Sequence, residues 1–534
     1  MLLALTCMMA QAQDKVMVIA DPHVLAGELC NPESQSCKDM MESQRKMLDL
    51  SDAAWCALMD TAMKYQPALL LIPGDLTKDS EKASHNKVVK SLKQLHAAGI
   101  KTLVIPGNHD IGGKAYAYTG DTKTVVDSLK DSEWESTYSW VYENAAKDKN
   151  SHSFAAEPLD GLTVIGIDGS NKSAGTGSLS KATLTWILEQ ADAARTKGNM
   201  IIAMSHWQIL EHFDQQGTLE SSCRFKNADA LRDSLMHHGV HVVLTGHFHV
   251  NGITTFRDTT GQTNDSIIEI TTGSPITYPC PYRWLTLSED RANLSVETAT
   301  IRSLGTITDM ETYSRDWMKV HTKNLIPVMG KRVLAQKDEL INKVISQYSG
   351  SASEAETLVK LVNMSLPQDE DAQIELFERH LGNTVIELYL VHSDANEPEH
   401  PEADSLAQEV YKGMDNLIDE VTIENSNTII SYGWKSGLGQ AALAVMRPKV
   451  REYAEEPLQS LAGDTTHWKS AKYYDRTDDL HLTLKINKPR QPSDLNEPIV
   501  NDQMEDGYYD LLGRPVAQPI KGQIYIHDGK KILY

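Results

Sequence analysis

Ile105-Pro106-Gly107-Asn108-His109-Asp110 is a tight polar turn at the end of a β-branched run, Lys101-Thr102-Leu103-Val104-Ile105. An apolar strand halted by Pro-Gly presents its next residues in the crevice at the carboxyl edge of a parallel sheet, where open α/β folds bind ligands. Here those residues bring an amide oxygen, an imidazole and a carboxylate. Such groups hold a metal, donate a proton and orient the donor. Asn, Asp and Gly also make ordinary turns, so the reading draws its weight from four more strand ends of the same kind.

Outward from this turn, short aliphatic runs alternate with helical spacing. Residues 16–20 and 68–72 predict buried strands on either side of a helix over 40–63, and a helix over 81–98 stops at Gly99 before the strand 101–105. Further strands at 163–167, 200–204 and 240–244 are separated by helices over 181–195 and 228–238. Residues 252–256, 266–271, 284–287 and 294–298 read as antiparallel strands. This order predicts an α/β fold, two sheets flanked by helices. Beyond residue 302 the spacing turns helical, over 309–326, 331–348, 352–364, 371–381 and 405–419, with the first helix expected to stop against Pro327. A Pro- and acid-rich linker occupies 394–404. The expected organisation is a leader at 1–12, a catalytic domain at 13–302, a helical domain at 303–455 and a β-rich C-terminal segment at 456–534.

At 534 residues the chain is expected to form two or three domains. Its 41% hydrophobic and 23% charged residues are those of a soluble globular protein. A formal net charge of −22 disfavours non-specific binding to nucleic acid or an anionic membrane. Residues 1–13 are uncharged and end in Ala10-Gln11-Ala12, the pattern of a signal peptide cut after Ala12. Export to the periplasm, cell surface or medium is therefore expected, a buried first strand being the alternative. No later stretch reaches the 18 or more apolar residues of a membrane span. Past the leader, Cys30 and Cys37 bracket a polar loop that an exported chain can close as a disulfide. Cys56, in a helical apolar pattern, reads as an inert buried thiol. Cys223 with Cys280 is an open pairing without support in the sequence, and the lack of a CxxC argues against a cysteine zinc site.

Five strand ends carry ligand-type residues: Asp21-Pro22-His23, Gly74-Asp75, Gly107-Asn108-His109-Asp110, His206, and Gly246-His247-Phe248-His249. In extended backbone residues i and i+2 point the same way, so Asp21 with His23, and His247 with His249, can each face one cleft. Imidazole and carboxylate without thiolate suit Mn²⁺, Fe or Zn²⁺. Taken singly, His206 reads as a hydrogen-bonded core histidine, Gly74-Asp75 as a turn cap and Asp21-x-His23 as a solvated loop. Five such ends in order, each after a strand, point to a two-metal site.

This set, spread over residues 16–250, resembles the signature of the calcineurin-like metallophosphoesterase superfamily. The resemblance implies an α/β/β/α sandwich with a dinuclear metal centre. By position, Asp21, His23 and His249 would hold one metal, Asn108, His206 and His247 the second, and Asp75 would bridge them. Two cations about 3.5–4 Å apart clamp phosphoryl oxygens and make hydroxide from a shared water near neutral pH. His109 resembles the family's general acid, a role worth about 10²–10⁴ in rate. Its alternative is a hydrogen bond to substrate phosphate alone. Asp79 or Asp110 would orient it, and the sequence does not choose between them.

Purple acid phosphatases carry a tyrosine three residues after the bridging aspartate; here that residue is Lys78, which argues against an Fe(III)-phenolate site. The Arg-rich surroundings of protein serine/threonine phosphatases and a nucleotide-stacking domain like that of exported 5′-nucleotidases are also missing from the motifs. The C-terminal Tyr-Asp-Leu-Leu-Gly-Arg and Lys-Gly-Gln-Ile-Tyr-Ile pattern is similar to the type IX sorting tails of exported bacterial proteins, a plain β-hairpin cap being the alternative. His152, His212, Tyr278, Tyr282 and Arg283 are candidates for the pocket wall. The expected function is hydrolysis of small-molecule phosphate esters, with diesters favoured over monoesters for want of an Arg cluster to neutralise a dianion. Alternatives are a phosphomonoesterase or nucleotidase on the same centre, a nuclease if positive residues cluster near the cleft, and a surface binding protein on a vestigial metal fold.

Overall fold

The structure is a computed structural model that describes residues 13–170, 176–258, 265–335, 338, 341, 351–394 and 403–462, and the strand residues 473–475, 481–485, 508–509, 515–516, 524–527 and 530–533. The expected leader at 1–12 lies outside the described residues.

In chain order the strands of the main body are β1 (Asp14–Val18), β2 (Leu69–Pro73), β3 (Lys101–Ile105), the short pair β4 (Tyr116–Ala117) and β5 (Thr124–Val125), β6 (Ala146–Lys147), β7 (Phe154–Leu159), β8 (Leu162–Ile167), β9 (Met200–Ser205), β10 (Val242–Thr245), β11 (Gly252–Arg257), β12 (Ser266–Thr271), β13 (Pro281–Leu287), β14 (Asn293–Thr300), β15 (Tyr473–Asp475) and β16 (His481–Lys485). One sheet has the order β16-β14-β13-β1-β2-β3 and the other β15-β11-β12-β10-β9-β8-β7-β6. Parallel pairing joins β1 to β2, β2 to β3, β8 to β9, β9 to β10 and β10 to β12. Strands covered on both faces read as unbroken apolar runs, and β2, β8 and β9 are buried along their whole length.

Alternation then sorts their side chains into two cores. Val164, Ile202, Met204, Val242 and Leu244 join Val16, Leu69 and Leu103 of the first sheet in one apolar cluster between the sheets. Ile165, Ile167, Ile201, Ala203 and Val243 turn the other way, onto Ile187 and Ala191 of the helix Lys181–Lys197 and Leu231 and Leu235 of the helix Ala228–His237. The expected two-sheet α/β sandwich is thus the observed one. Because β1, β2, β3, β9 and β10 all end at the same edge, each polar turn beyond them opens onto the seam between the sheets.

Three departures from the sequence reading have physical causes. The helix expected over 40–63 is broken: Gln35–Glu42 ends at Ser43, a 3-10 turn covers Leu48–Leu50, and a second helix runs Ser51–Tyr65. Residues 43–47 form a loop between them. Pro327, expected to stop a helix, instead lies in the first turn of Ile326–Ala335, where its missing N–H costs nothing. The region expected as a β-rich segment over 456–534 is divided. Gly437–Ala462 continues as helix, β15 and β16 return to the far edges of the two catalytic sheets, and Arg490–Tyr534 is a separate compact unit. That unit carries β17 (Tyr508–Tyr509), β18 (Pro515–Val516), β19 (Ile524–His527) and β20 (Lys530–Leu533) in the antiparallel order β18-β17-β19-β20.

Helices Met310–His321, Ala352–Ser365, Glu370–Asp394, Ala403–Val421 and Thr428–Lys435 complete the helical region. Tyr278 of the catalytic domain is buried among its Met318, Ile326, Ile386 and Leu390. Among the described residues no helix is long and apolar enough to cross a membrane.

Cys30, Cys37, Cys56, Cys223 and Cys280 are free thiols, so the 30–37 disulfide is not formed, although the two thiols hydrogen-bond to each other. Cys56, expected to be buried, is exposed: it lies on the outer face of a helix whose Trp55, Leu58 and Met59 face the core.

Leu69→Ala, which empties a site between the sheets, should cost about 2–5 kcal/mol. Cys56→Ser on the exposed face should stay within about 0.5 kcal/mol. Scanning calorimetry of both variants checks the pair of outcomes.

Candidate metal centre

The seven residues expected as ligands come from five separate turns. Five of them, Asp21, His23, Asp75, His247 and His249, have left-handed backbone, with φ of 52°, 42°, 51°, 66° and 60°. Non-glycine residues adopt this region rarely, at a cost of order 1–3 kcal/mol each, and mostly where surrounding structure enforces it for function. The i, i+2 pairs do converge, but by left-handed turns rather than by extended backbone. Close approach enforces the turns as well: a Cβ on Gly107 would lie 2.2 Å from Asp75 Oδ1, and one on Gly246 2.3 Å from Asp21 Oδ2.

Two donor sets result. Asp21, His23, Asp75 and His249 each offer an atom, all within 4.8 Å of one another; Asp75, His206 and His247 do the same. Asp75 is common to both: its Oδ2 is 3.2 Å from His206 Nε2 and 3.6 Å from His23 Nε2. Asn108 Oδ1 lies 3.1 Å from His206 Nε2, completing the second set. Facing nitrogens stand 3.0 Å apart in the pairs His23–His249 and His206–His247, close enough for each pair to point at one cation. Oxygen and imidazole donors without thiolate fit divalent Mn, Fe or Zn.

The surroundings orient these donors, as metal ligands require. His206 Nδ1 is 2.9 Å from Pro73 O, leaving Nε2 for the centre. Asp21 accepts from His247 N at 2.9 Å. Buried Glu269 accepts from Ile209 N and Leu210 N at 2.8 Å each, from Thr245 Oγ1 at 3.0 Å, and pairs with His212 Nε2 at 3.0 Å, fastening the turn after His206 to the strand end before His247. Asp110 accepts from Gly107 N at 2.9 Å, Leu76 N at 3.1 Å and Thr77 N at 2.9 Å, locking the second and third turns together.

The choice left open for His109 is settled by distance: its Nδ1 meets Asp79 Oδ1 at 2.8 Å. Lys78 contacts the same Asp79 and lies 3.1 Å from the Tyr118 hydroxyl, so the residue at the tyrosine position of purple acid phosphatases meets the carboxylate beside His109 instead. Burial would raise the Asp79 carboxyl, but the hydrogen bond with His109 and the charge of Lys78 bring it down to about 2. The His109 backbone N donates to Asp75 Oδ1 at 2.8 Å, and its ring stacks edge-on against His23 at 4.9 Å. Among the described residues Nε2 of His109 has no partner.

Burial holds His23, His247 and His249 well below the usual imidazole range. Burial also opposes charge on His206, yet Asp75 and then Asp21 outweigh it and push that group up to about 9. Asp75 is held well below the carboxylate range, since His206, His109 and His23 together overcome its burial.

Of the expected wall residues, none joins the centre. His212 supports Glu269, Arg283 is buried with Nη2 on Thr271 O at 3.0 Å, His152 Nε2 pairs with Asp131 at 3.0 Å, Tyr278 packs under the helical region, and Tyr282 lies edge-on to Trp284 at 6.2 Å. The motif reading missed Arg45 and Lys46, whose charges act on His249, with Lys46 also acting on Asp21 and His23. Met40, Met41, Met47 and Leu48 keep helical spacing across the break, and only the polar run Ser43-Gln44-Arg45-Lys46 hints at a loop.

Residues 14–251 match the family model described as calcineurin-like phosphoesterase. The chain therefore carries a calcineurin-like phosphoesterase domain, and with it belongs among the metal-dependent phosphoester hydrolases. Similar solved structures include a dimetal phosphatase from Danio rerio, 13% identical over 53% of this chain and 95% of that one with a TM-score of 0.40. A purple acid phosphatase from yellow lupin (Lupinus luteus) seeds is 11% identical over 54% of this chain and 52% of that one, with a TM-score of 0.35. The phosphopantetheinyl hydrolase of Mycobacterium tuberculosis is 13% identical over 50% and 91%, with a TM-score of 0.25. None of the curated proteins compared matches the chain.

Below about pH 9 His206 keeps a proton that a cation at Nε2 must displace. Manganese affinity should therefore climb as pH rises toward 9, with about one proton released per chain near neutrality. Calorimetric titration in buffers of different ionisation enthalpy reads this directly; binding without proton release contradicts it.

Proposed function

We propose that the protein is a dinuclear phosphoric ester hydrolase in which His109, steered by Asp79, protonates the departing oxygen. The observation that supports it most is the position of Asp75. One buried carboxylate lies within reach of both donor sets through Oδ2, while its Oδ1 accepts from the backbone of His109, the residue proposed as acid. Asp21, His23 and His249 would hold one cation, Asn108, His206 and His247 the other, and Asp75 both. When bound, such a pair supplies Lewis acidity toward phosphoryl oxygens and an activated water near neutral pH; Mn, Fe and Zn suit the donors.

The chain's own contribution is orientation and proton delivery. Asp79 accepts the Nδ1 proton of His109, so the proton handed over is the one on Nε2, and the ring is left as the neutral Nδ1–H tautomer. A carboxylate kept ionised to about pH 2 holds that tautomer throughout the working range.

Diesters are the substrate class that the family resemblance favours. A second reading, monoester cleavage, is favoured by Arg45 and Lys46, cations near the centre that can meet a dianion. A surface binding protein on a vestigial fold predicts lost ligands, whereas all seven donors are present and converge. Export to the periplasm, cell surface or medium is part of the proposal, supported by the likeness of the terminal β-unit to sorting tails.

His109→Ala should lower kcat by about 10²–10⁴ on esters of alkyl alcohols and far less on p-nitrophenyl esters, whose leaving group needs little protonation. Asp79→Asn should show the same leaving-group pattern with a smaller loss. Steady-state rates with Mn²⁺ check this, and equal losses on both leaving groups remove His109 as the acid. The ratio of bis-p-nitrophenyl phosphate to p-nitrophenyl phosphate hydrolysis ranks the two substrate readings.

A further inference from the structure

The loop that interrupts the expected 40–63 helix is tethered at three points within four residues. Met47 N donates to Ile276 O at 2.9 Å, Trp317 Nε1 of the helix Met310–His321 donates to Gln44 O at 3.3 Å, and the Arg45 guanidinium contacts the Tyr389 hydroxyl while lying 5.1 Å from the centroid of its ring. Tyr389 belongs to the helix Glu370–Asp394. Three residues later His392 lies edge-on to Phe248, the residue between His247 and His249, and to Phe213, each at 5.7 Å. One helix of the helical region therefore touches both the Arg45–Lys46 loop and the last metal-site turn.

Between these tethers Lys46 is held with its ammonium unmatched. Among the described residues Nζ has neither a hydrogen bond nor an ion pair, although its charge acts on Asp21, Asp75, Asp79, His23 and His249. Lys46 is half-buried, so an ammonium with no partner in the fold stays open to an anion arriving from outside it. The neighbouring Arg45 is already engaged by Tyr389, so the free charge is that of Lys46. A lysine is a compact point charge suited to phosphate, and its attraction grows with the charge of the anion it meets.

We propose that Lys46 binds a non-bridging oxygen of the substrate phosphoryl group, and that Trp317 and Tyr389 are positioning residues which make the helical region part of substrate recognition. The proposal rests on the phosphoester hydrolase reading above and adds to it a residue outside the seven donors. A dianionic terminal phosphate gains more from Lys46 than a monoanionic diester, so the loop tilts preference toward monoesters. Burial, which brings the Lys46 ammonium down to about 8, leaves it cationic at neutral pH.

The test is calorimetric binding of inorganic phosphate to the full chain at saturating Mn²⁺, with metal content measured alongside. Lys46→Met and, as a second neutral variant, Lys46→Gln should weaken phosphate binding about tenfold or more with metal content unchanged. Lys46→Arg should stay within about threefold by keeping the charge. Tyr389→Phe should raise KM severalfold with kcat near wild type, and Lys46→Met should cost a monoester more than a diester. Wild-type ester cleavage alongside undiminished phosphate binding by both neutral variants overturns the Lys46 assignment alone. Wild-type phosphate binding without cleavage of any ester overturns the hydrolase reading while leaving the Lys46 comparison intact. Absence of phosphate binding by wild type overturns both.

Discussion

A single buried carboxylate, Asp75, has to serve two groups of imidazoles at once, and the surrounding architecture is arranged around that demand. Its Oδ2 lies within 3.6 Å of histidines brought in from two different sheets, and its Oδ1 is committed to the backbone of His109. A carboxylate so placed tolerates no drift, since a buried charge without its partners is destabilising by several kcal/mol. The parallel core of both sheets provides the rigidity. It brings five strand ends to one edge, and the polar turns there are clamped to each other by Asp110 on one side and Glu269 on the other.

The same demand explains the backbone. Donors from five turns cannot meet within a few ångströms if each keeps relaxed geometry, and five of the seven sit in left-handed conformation. Gly107 and Gly246 permit the approach because their missing Cβ atoms make room for Asp75 and Asp21. Strain of this kind persists only where packing over-determines it, and here the apolar layers beneath the turns supply the constraint.

How much of this was legible beforehand differs from element to element. Strand ends capped by Asp, Asn and His could be read because a parallel strand needs an unbroken apolar run and its end is marked by the first polar residue. The seven residues proposed as donors were picked out that way, and the structure brings them together. Left-handed backbone leaves no mark in residue type at Asp21 or His249, so convergence was inferred from the wrong local geometry. Asp79 and Asp110 are equivalent on paper, being one before and one after the same stretch of fold; only the packed distance shows one steering His109 and the other tying turns together. Arg45 and Lys46 were hidden inside what looked like continuous helix, because Met47, Leu48 and Leu50 preserve helical spacing across a loop. The return of β15 and β16 to the catalytic sheets was out of reach as well, since pairing of strands some 200 residues apart depends on edges that exist only after the sheets have formed.

The helix Glu370–Asp394 touches both Arg45 of the loop 43–47 and Phe248 of the turn that carries His247 and His249, so the helical region borders the candidate centre as well as adding to the fold. Everything mechanistic nevertheless depends on Asp75 being shared. Crystals grown with Mn²⁺ and measured for anomalous scattering at the manganese edge test this most directly. Two peaks about 3.5–4 Å apart with Asp75 between them, one against Asp21, His23 and His249 and the other against Asn108, His206 and His247, are expected. A single peak, or a pair that leaves Asp75 uncoordinated, contradicts a shared-carboxylate centre.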